Sequence, residues 1–252
     1  MEHKIKVAAV SYLNTIPFLY GLEQDDKLLA QLDLRLEYPS ICADLLKTGE
    51  VDLALIPVAE IPNINQPIII SDYCIGAVGK VNTVMLYSHC PLNEIQSIAL
   101  DYQSRTSAML TKILVKNFWG IEVSFEQTSL GYIDTIKGSK AGLVIGDRAF
   151  DLNGTFPHEY DLAEEWFKFT GLPFVFACWV ANKSLESSFV RQVSEALKVG
   201  LENKEKAILE WQQKENSSID LKSYLNSDIS YEFDDTKKLA LKKFLSLASE
   251  ID

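Results

Sequence analysis

The chain has 252 residues, of which 47% are hydrophobic and 23% charged, a globular composition with room for one domain or two lobes of roughly a hundred residues. Its net charge of −11 argues against nucleic acid as a partner, because phosphate binding draws its affinity from clustered Lys and Arg. An anionic ligand would have to be held by local donors, helix starts and single arginines, against the field of the whole chain.

Met1-Glu2-His3-Lys4 leads almost directly into an apolar run, Ile5 to Val10, with no basic n-region, long apolar segment or small-residue cleavage site before it. No apolar run approaches the about 18 residues of a membrane helix. Both readings point to a cytoplasmic protein with no membrane partner. Short runs rich in Val, Ile and Leu predict strands at Ile5 to Val10, Leu32 to Tyr38, Leu53 to Ile56, Val84 to Tyr87, Ser97 to Leu100, Glu122 to Phe125, Leu143 to Ile145 and Phe174 to Val180. Helical patterns alternate with them: Ser40 to Thr48, capped by Ser40 and closed by Gly49; Ser107 to Phe118, closed by Gly120; and shorter pieces at Ser129 to Lys137 and Asp147 to Leu152. The alternation predicts an α/β protein with a largely parallel sheet. Beyond Lys183 the texture becomes helical, with apolar spacing over Phe189 to Gln213 and again over Thr236 to Ala248. Cys42, Cys74, Cys90 and Cys178 show no C-x-x-C spacing and read as packing residues.

The chemistry-bearing positions fall at predicted strand ends. In Ser11-Tyr12-Leu13-Asn14-Thr15-Ile16-Pro17 the first strand turns into a helix, with Pro17 fitting the first turn and Asn14 or Thr15 a suitable N-cap. Such a turn is either an ordinary capped junction or a binding edge that offers Ser11, Asn14 and backbone N–H groups to a ligand. Ser104-Arg105-Thr106-Ser107 sets three hydroxyls and a guanidinium at the start of a helix, an arrangement that suits a carboxylate. Arg105 either grips that anion or ties parts of the chain together. Thr128-Ser129-Leu130-Gly131 is a weaker version of the same device and reads as a cap. Asp147, just past a strand, is a polar site residue, a cap, or half of a surface pair with Arg148. His3, His89 and His158 are scattered. With no clustered carboxylates, paired cysteines, Walker spacing or G-x-S-x-G elbow, the sequence offers no metal site and no cofactor.

Four blocks, Ser11 to Pro17, Ser104 to Ser107, Ile145-Gly146-Asp147 and Thr170 to Trp179, resemble in order and spacing the chorismate dehydratase family of the futalosine route to menaquinone. The resemblance implies a two-lobed type II periplasmic-binding-protein-like α/β fold with mixed sheets and a helical C-terminal segment. Its first lobe would be residues 1–80 plus 181–252, its second 81–180, with a ligand cleft between them and crossovers near Gly79 to Thr83 and Cys178 to Lys183. It further implies a cofactor-free lyase whose small-molecule substrate is chorismate, with Asn14 and Thr83 as catalytic candidates. Ser11, Thr83, Ser104, Arg105, Thr106, Ser107 and Asp147 are the expected substrate contacts, and Thr83 stands where the family more often has serine. Two rivals share the fold: a non-catalytic small-anion solute-binding protein, and the related 1,4-dihydroxy-6-naphthoate synthase, which uses a histidine. Oligomeric state is left open by the sequence.

Overall fold

A computed structural model describes residues 4–215 and 219–251. In chain order its strands are β1 (Ile5–Val10), β2 (Leu32–Glu37), β3 (Leu53–Pro57), β4 (Ile68–Ala77), β5 (Val84–Ser88), β6 (Ser97–Leu100), β7 (Ser124–Gln127), β8 (Lys140–Ile145), β9 (His158–Asp161), β10 (Phe174–Ala181) and β11 (Ser230–Glu232). The helices are α1 (Ile16–Glu23), α2 (Asp26–Gln31), α3 (Pro39–Thr48), α4 (Arg105–Leu114), α5 (Leu162–Thr170), α6 (Ser187–Glu202), α7 (Lys204–Lys214), the single turn α8 (Leu221–Ser223) and α9 (Asp235–Ala248). Among the described residues no helix is long and apolar enough to cross a membrane.

The chain divides into two compact units. The first takes the described residues up to Gly76 together with Phe176–Asp234; the second takes Ala77–Val175 and the described residues from Asp235 onward. Each is built on its own sheet. In the first unit the strand order is β11-β4-β10-β3-β1-β2, with β1 parallel to β2 and β3, and β10 antiparallel to β3. In the second it is β7-β6-β8-β5-β9, with β6 parallel to its neighbours and β5 antiparallel to β8 and β9. Both sheets are therefore mixed rather than largely parallel. The fully buried runs of β3 and β10 are covered on both faces, and so read as continuous apolar segments.

In the first unit α1 and α6 pack at backbone contact. A Cβ added to Gly21 would lie 1.9 Å from the Ala196 carbonyl oxygen, and one added to Gly200 would lie 1.8 Å from that of Pro17. The second unit closes around an aromatic cluster in which Phe244 of α9 sits 5.3 Å from Phe174 and 6.2 Å from Trp166, centroid to centroid. That packing draws α9 away from the expected first lobe of 1–80 plus 181–252, because the apolar face of the helix is spent on the second unit's core. The boundaries at Ala77 and Phe176 likewise differ from those drawn at 80 and 181.

Other departures have local causes. The helix over 189–213 breaks at Asn203, where the backbone leaves helical geometry and the side-chain amide donates to the Val199 carbonyl at 2.8 Å. Ser40 is not the cap of α3, since Pro39 already occupies the first turn and Tyr38 precedes it without a side-chain bond. Residues 129–137 and 147–152 form only short 3₁₀ turns, at Tyr132–Thr135 and Gly146–Ala149. β4, β9 and β11 escape the apolar pattern because Ser71, Asp72, His158, Glu159 and Ser230 interrupt it.

Gly200→Ala should destabilise the protein by about 3 kcal/mol although alanine is the better helix former, because the new methyl meets backbone rather than a movable side chain. Guanidinium denaturation followed by circular dichroism measures this, and an unshifted midpoint would contradict the close helix approach.

Candidate functional site

At the carboxyl end of β1, in the first unit, the Ser11 N–H donates to the Glu37 carbonyl at 3.1 Å and carries the chain into a 3₁₀ turn, Leu13–Thr15. The Ser11 side chain is exposed and Asn14 is half-buried. Thr15 is the N-cap residue of α1, yet its side chain makes no capping bond. Its hydroxyl donates instead to Asn14 Oδ1 at 3.2 Å. The capped-junction reading of this turn therefore fails, and the Asn14 amide is turned to Thr15 rather than to the helix. The Asn14 backbone carbonyl accepts a hydrogen bond from the Tyr231 hydroxyl at 2.9 Å.

The second unit brings Thr83, Ser104 to Ser107 and Asp147 to one edge of its sheet. β6 and β8 run parallel and end there, and β5, antiparallel to β8, begins there with Val84 opposite Ile145. Ser104 is the N-cap of α4: its Oγ accepts the Ser107 N–H at 3.2 Å and lies 3.0 Å from Ser107 Oγ. Thr106 and Ser107 are buried, and Arg105 is half-exposed. Thr83 is buried, donates its hydroxyl to the Val81 carbonyl at 3.3 Å and accepts the Gly146 N–H at its backbone carbonyl at 2.9 Å. Asp147 lies in the 3₁₀ turn after β8, whose N-cap is Ile145 with no side-chain bond, so Asp147 is no cap. Thr128 also does something other than cap: its hydroxyl donates to the Leu100 carbonyl at 2.6 Å and ties off the end of β6.

Three groups at these edges were not singled out from sequence. Asp101, immediately after β6, has a fully buried carboxylate. Its Oδ1 accepts the Gln103 N–H at 3.0 Å, while Oδ2 accepts from the Ile145 N–H at 2.9 Å, the Tyr132 hydroxyl at 2.8 Å and Arg148 Nη2 at 2.7 Å. The Arg148 guanidinium also donates to Gln103 Oε1 at 2.7 Å and lies 5.7 Å from the centre of the Tyr102 ring. Burial and the neighbouring Asp101 charge push the Tyr132 hydroxyl well above the usual tyrosine range, so it stays protonated and donates. An Asp directly after an apolar strand was the available signal, the same one that drew attention to Asp147.

Asp161 is the second. One carboxylate oxygen accepts the N–H groups of Val81 and Asn82, at 2.8 and 2.7 Å; the other accepts those of Ala163 and Glu164, at 3.0 and 3.2 Å. It thereby caps α5 and fixes the segment before Thr83, where Asn82 holds a φ of 59°. Asp161-Leu162-Ala163-Glu164 has the spacing of a capping box, a legible signal. The third is Tyr231, for which no local signal exists. His89 and His158 lie at the far end of β5 from Thr83, where Ser88 pairs with His158; His3 lies outside the described residues. Among the described residues no three His, Cys, Asp or Glu side chains gather as a metal site would require.

A family model described as menaquinone biosynthesis matches residues 5–250. The chain belongs to that family. A curated relative, the chorismate dehydratase of Thermus thermophilus, is 28% identical over an alignment of 177 residues that covers 62% of this chain and only 65% of that relative's length. Among solved structures, a protein of Archaeoglobus fulgidus superposes with a TM-score of 0.75 at 16% identity, over 99% of this chain and 98% of that one. A Candida albicans gene product described as having the generic periplasmic-binding-protein fold does so with a TM-score of 0.67 at 15% identity, over 98% and 90%. The chain has that fold.

Burial pushes the Asp161 carboxyl above its ordinary range, although the four N–H bonds pull the other way. A carboxyl raised in the folded state binds its proton more readily there than in the unfolded chain, so its contribution to stability improves as pH falls through its titration and is lost as pH rises. Asp161→Asn should cost about 1–3 kcal/mol at neutral pH, since one amide face would present N–H groups to N–H donors. The gap between wild type and variant should widen toward acid pH. Denaturation curves across the acid range test both claims; a gap that narrows would contradict the burial argument.

Proposed function

We propose that the chain is a hydro-lyase that removes water from chorismate to give 3-[(1-carboxyvinyl)oxy]benzoate. The observation that carries this reading is the family membership, joined to strand ends furnished with amide and hydroxyl side chains rather than strong acids or bases. The name of the Thermus thermophilus relative supports the same reaction.

The chemistry makes modest demands. The ring proton at the ether-bearing carbon is acidified through the conjugated diene and the ring carboxylate. Its removal, followed by departure of the neighbouring hydroxyl as water, leaves an aromatic ring. The substrate's own enolpyruvyl carboxylate has the reach to take that proton, so the protein's share is to hold two carboxylates in place and exclude bulk water. In this reading the start of α4, with Thr106 and Ser107, receives a carboxylate, Arg105 adds charge, and Ser11 and Asp147 complete the polar contacts. Asn14 and Thr83 are the proposed catalytic groups, an amide and a hydroxyl of the kind that can hold a departing oxygen.

Incubation of the purified protein with chorismate, followed by mass spectrometry, should reveal a product lighter by one water, at a rate unaffected by EDTA. Chorismate left intact by folded protein overturns the reading, and tight binding without turnover transfers the protein to the solute-binding class.

Asn14→Ala should keep the fold and lower kcat by about a hundred- to a thousand-fold, with KM changed far less, because a bond that strengthens in the transition state appears in the rate. Asn14→Asp should be worse, since a fixed negative charge opposes the substrate dianion. Ser107→Ala should instead weaken binding, by about 1–3 kcal/mol, through a lost bond to a charged group. Steady-state kinetics with circular dichroism as the folding control separates these roles; normal kcat in Asn14→Ala would return Asn14 to a structural one.

A further inference from the structure

We propose that Tyr231 is a positioning residue for Asn14, an inference whose catalytic meaning rests on the dehydratase reading. The two residues are 217 positions apart, and the bond between them runs from the Tyr231 hydroxyl to the Asn14 carbonyl at 2.9 Å. Within the first unit, three features aim that hydroxyl.

The first is a break in strand register. Ser230 pairs with Gly76 while Glu232 pairs with Tyr73, so Tyr231 faces two residues of β4 where a regular ladder would give it one. Irregularities of this kind bend a strand and re-aim the side chain at the break. The second is the ring's packing: Tyr231 is 3% exposed and meets Phe18 of α1 edge-on, at 5.3 Å and 73°. Its hydroxyl and its ring therefore grip opposite ends of the same junction, the turn before α1 and the first turn of the helix itself. The third is Lys204, whose ammonium lies 5.6 Å from the ring centre and donates to the Leu225 carbonyl at 3.2 Å. Burial raises the Tyr231 hydroxyl well above the ordinary tyrosine range, which keeps it a donor at any working pH.

Asn14 depends on such a hold because one other bond steadies its peptide plane, the Thr15 N–H donating to the Tyr12 carbonyl at 3.0 Å, and that bond leaves the carbonyl side to Tyr231. The 3₁₀ turn Leu13–Thr15 has no side-chain cap, and among the described residues Asn14 Oδ1 accepts from the Thr15 hydroxyl alone. Its Nδ2 group meets no acceptor among the described residues. The direction of the amide is thus set by the backbone beneath it, and the hydroxyl of Tyr231 fixes that backbone's carbonyl. Removing the hydroxyl leaves the peptide plane between Asn14 and Thr15 held only through its N–H, so its carbonyl side can tilt and the amide shifts with it. A donor that must meet developing charge loses part of its value when it is less well pre-organised.

The test is Tyr231→Phe, which keeps the ring on Phe18 and under Lys204 and deletes only the hydroxyl. With chorismate, kcat should fall about fivefold, the worth of one net hydrogen bond, while KM and the thermal midpoint stay close to wild type. In an Asn14→Ala background the same substitution should do nothing further, because there is no amide left to aim. Full kcat in Tyr231→Phe, or losses that multiply in the double variant, would overturn the proposal. Should wild type leave chorismate untouched, the substrate reading falls, and the positioning claim is then decided without substrate. The Asn14 side-chain amide signal, assigned by its disappearance in Asn14→Ala, should lose order in ¹⁵N relaxation measurements on Tyr231→Phe. An amide as ordered as in wild type would overturn the claim on its own.

Discussion

A single buried carboxylate organises the working edge of the second unit. Asp101 has no access to solvent, and an isolated charge in that position would cost several kcal/mol. It is tolerated because four donors converge on it, one from its own loop and three from β8 and the turns around it. The consequence is geometric. The ends of β6 and β8 and the turn carrying Asp147 and Arg148 are drawn to one charge, and the start of α4 follows two residues beyond Gln103. Groups that a ligand would touch can then be small and neutral, because the charged machinery that fixes them lies beneath the surface.

The first unit reaches the same end without a charge. Its turn at Asn14 has no side-chain cap and is held from outside by the Tyr231 hydroxyl, while α1 is held by its backbone contact with α6. Gly21 and Gly200 are both required for that approach, since a methyl at either would overlap a carbonyl oxygen. In each unit the candidate chemistry thus sits on a short segment at a strand end, and a residue distant in sequence sets its geometry. Asp161 repeats the pattern by holding two successive N–H groups just ahead of Thr83.

The net charge of −11 gives these local devices a second purpose. A protein that repels anions overall binds a dicarboxylate only where helix-start N–H groups, hydroxyls and a guanidinium outweigh the mean field at short range. The start of α4 is furnished in that way, with Ser104 committed to the cap and Ser107 beside it.

The sequence by itself determined the strands whose residues are apolar throughout, such as β3 and β10, and the helix stopped by Gly49, because burial on both faces and the left-handed geometry of a helix end are local demands. It also placed Asn14, Ser104 to Ser107 and Asp147 just past strands, since a strand's end is written where apolar residues give way to polar ones. Only the tertiary structure decided what holds those residues. Tyr231 in a short strand with one buried residue, Asp101 among many acidic residues and Phe244 in a helix of ordinary amphipathicity carry no local mark of their partners. The same holds for the split at Asn203 and for the assignment of α9 to the second unit. A hydrogen bond spanning 217 residues, or a helix's choice between two cores, depends on distances that exist only once the chain has folded, and residue type and spacing along the sequence do not encode them one position at a time.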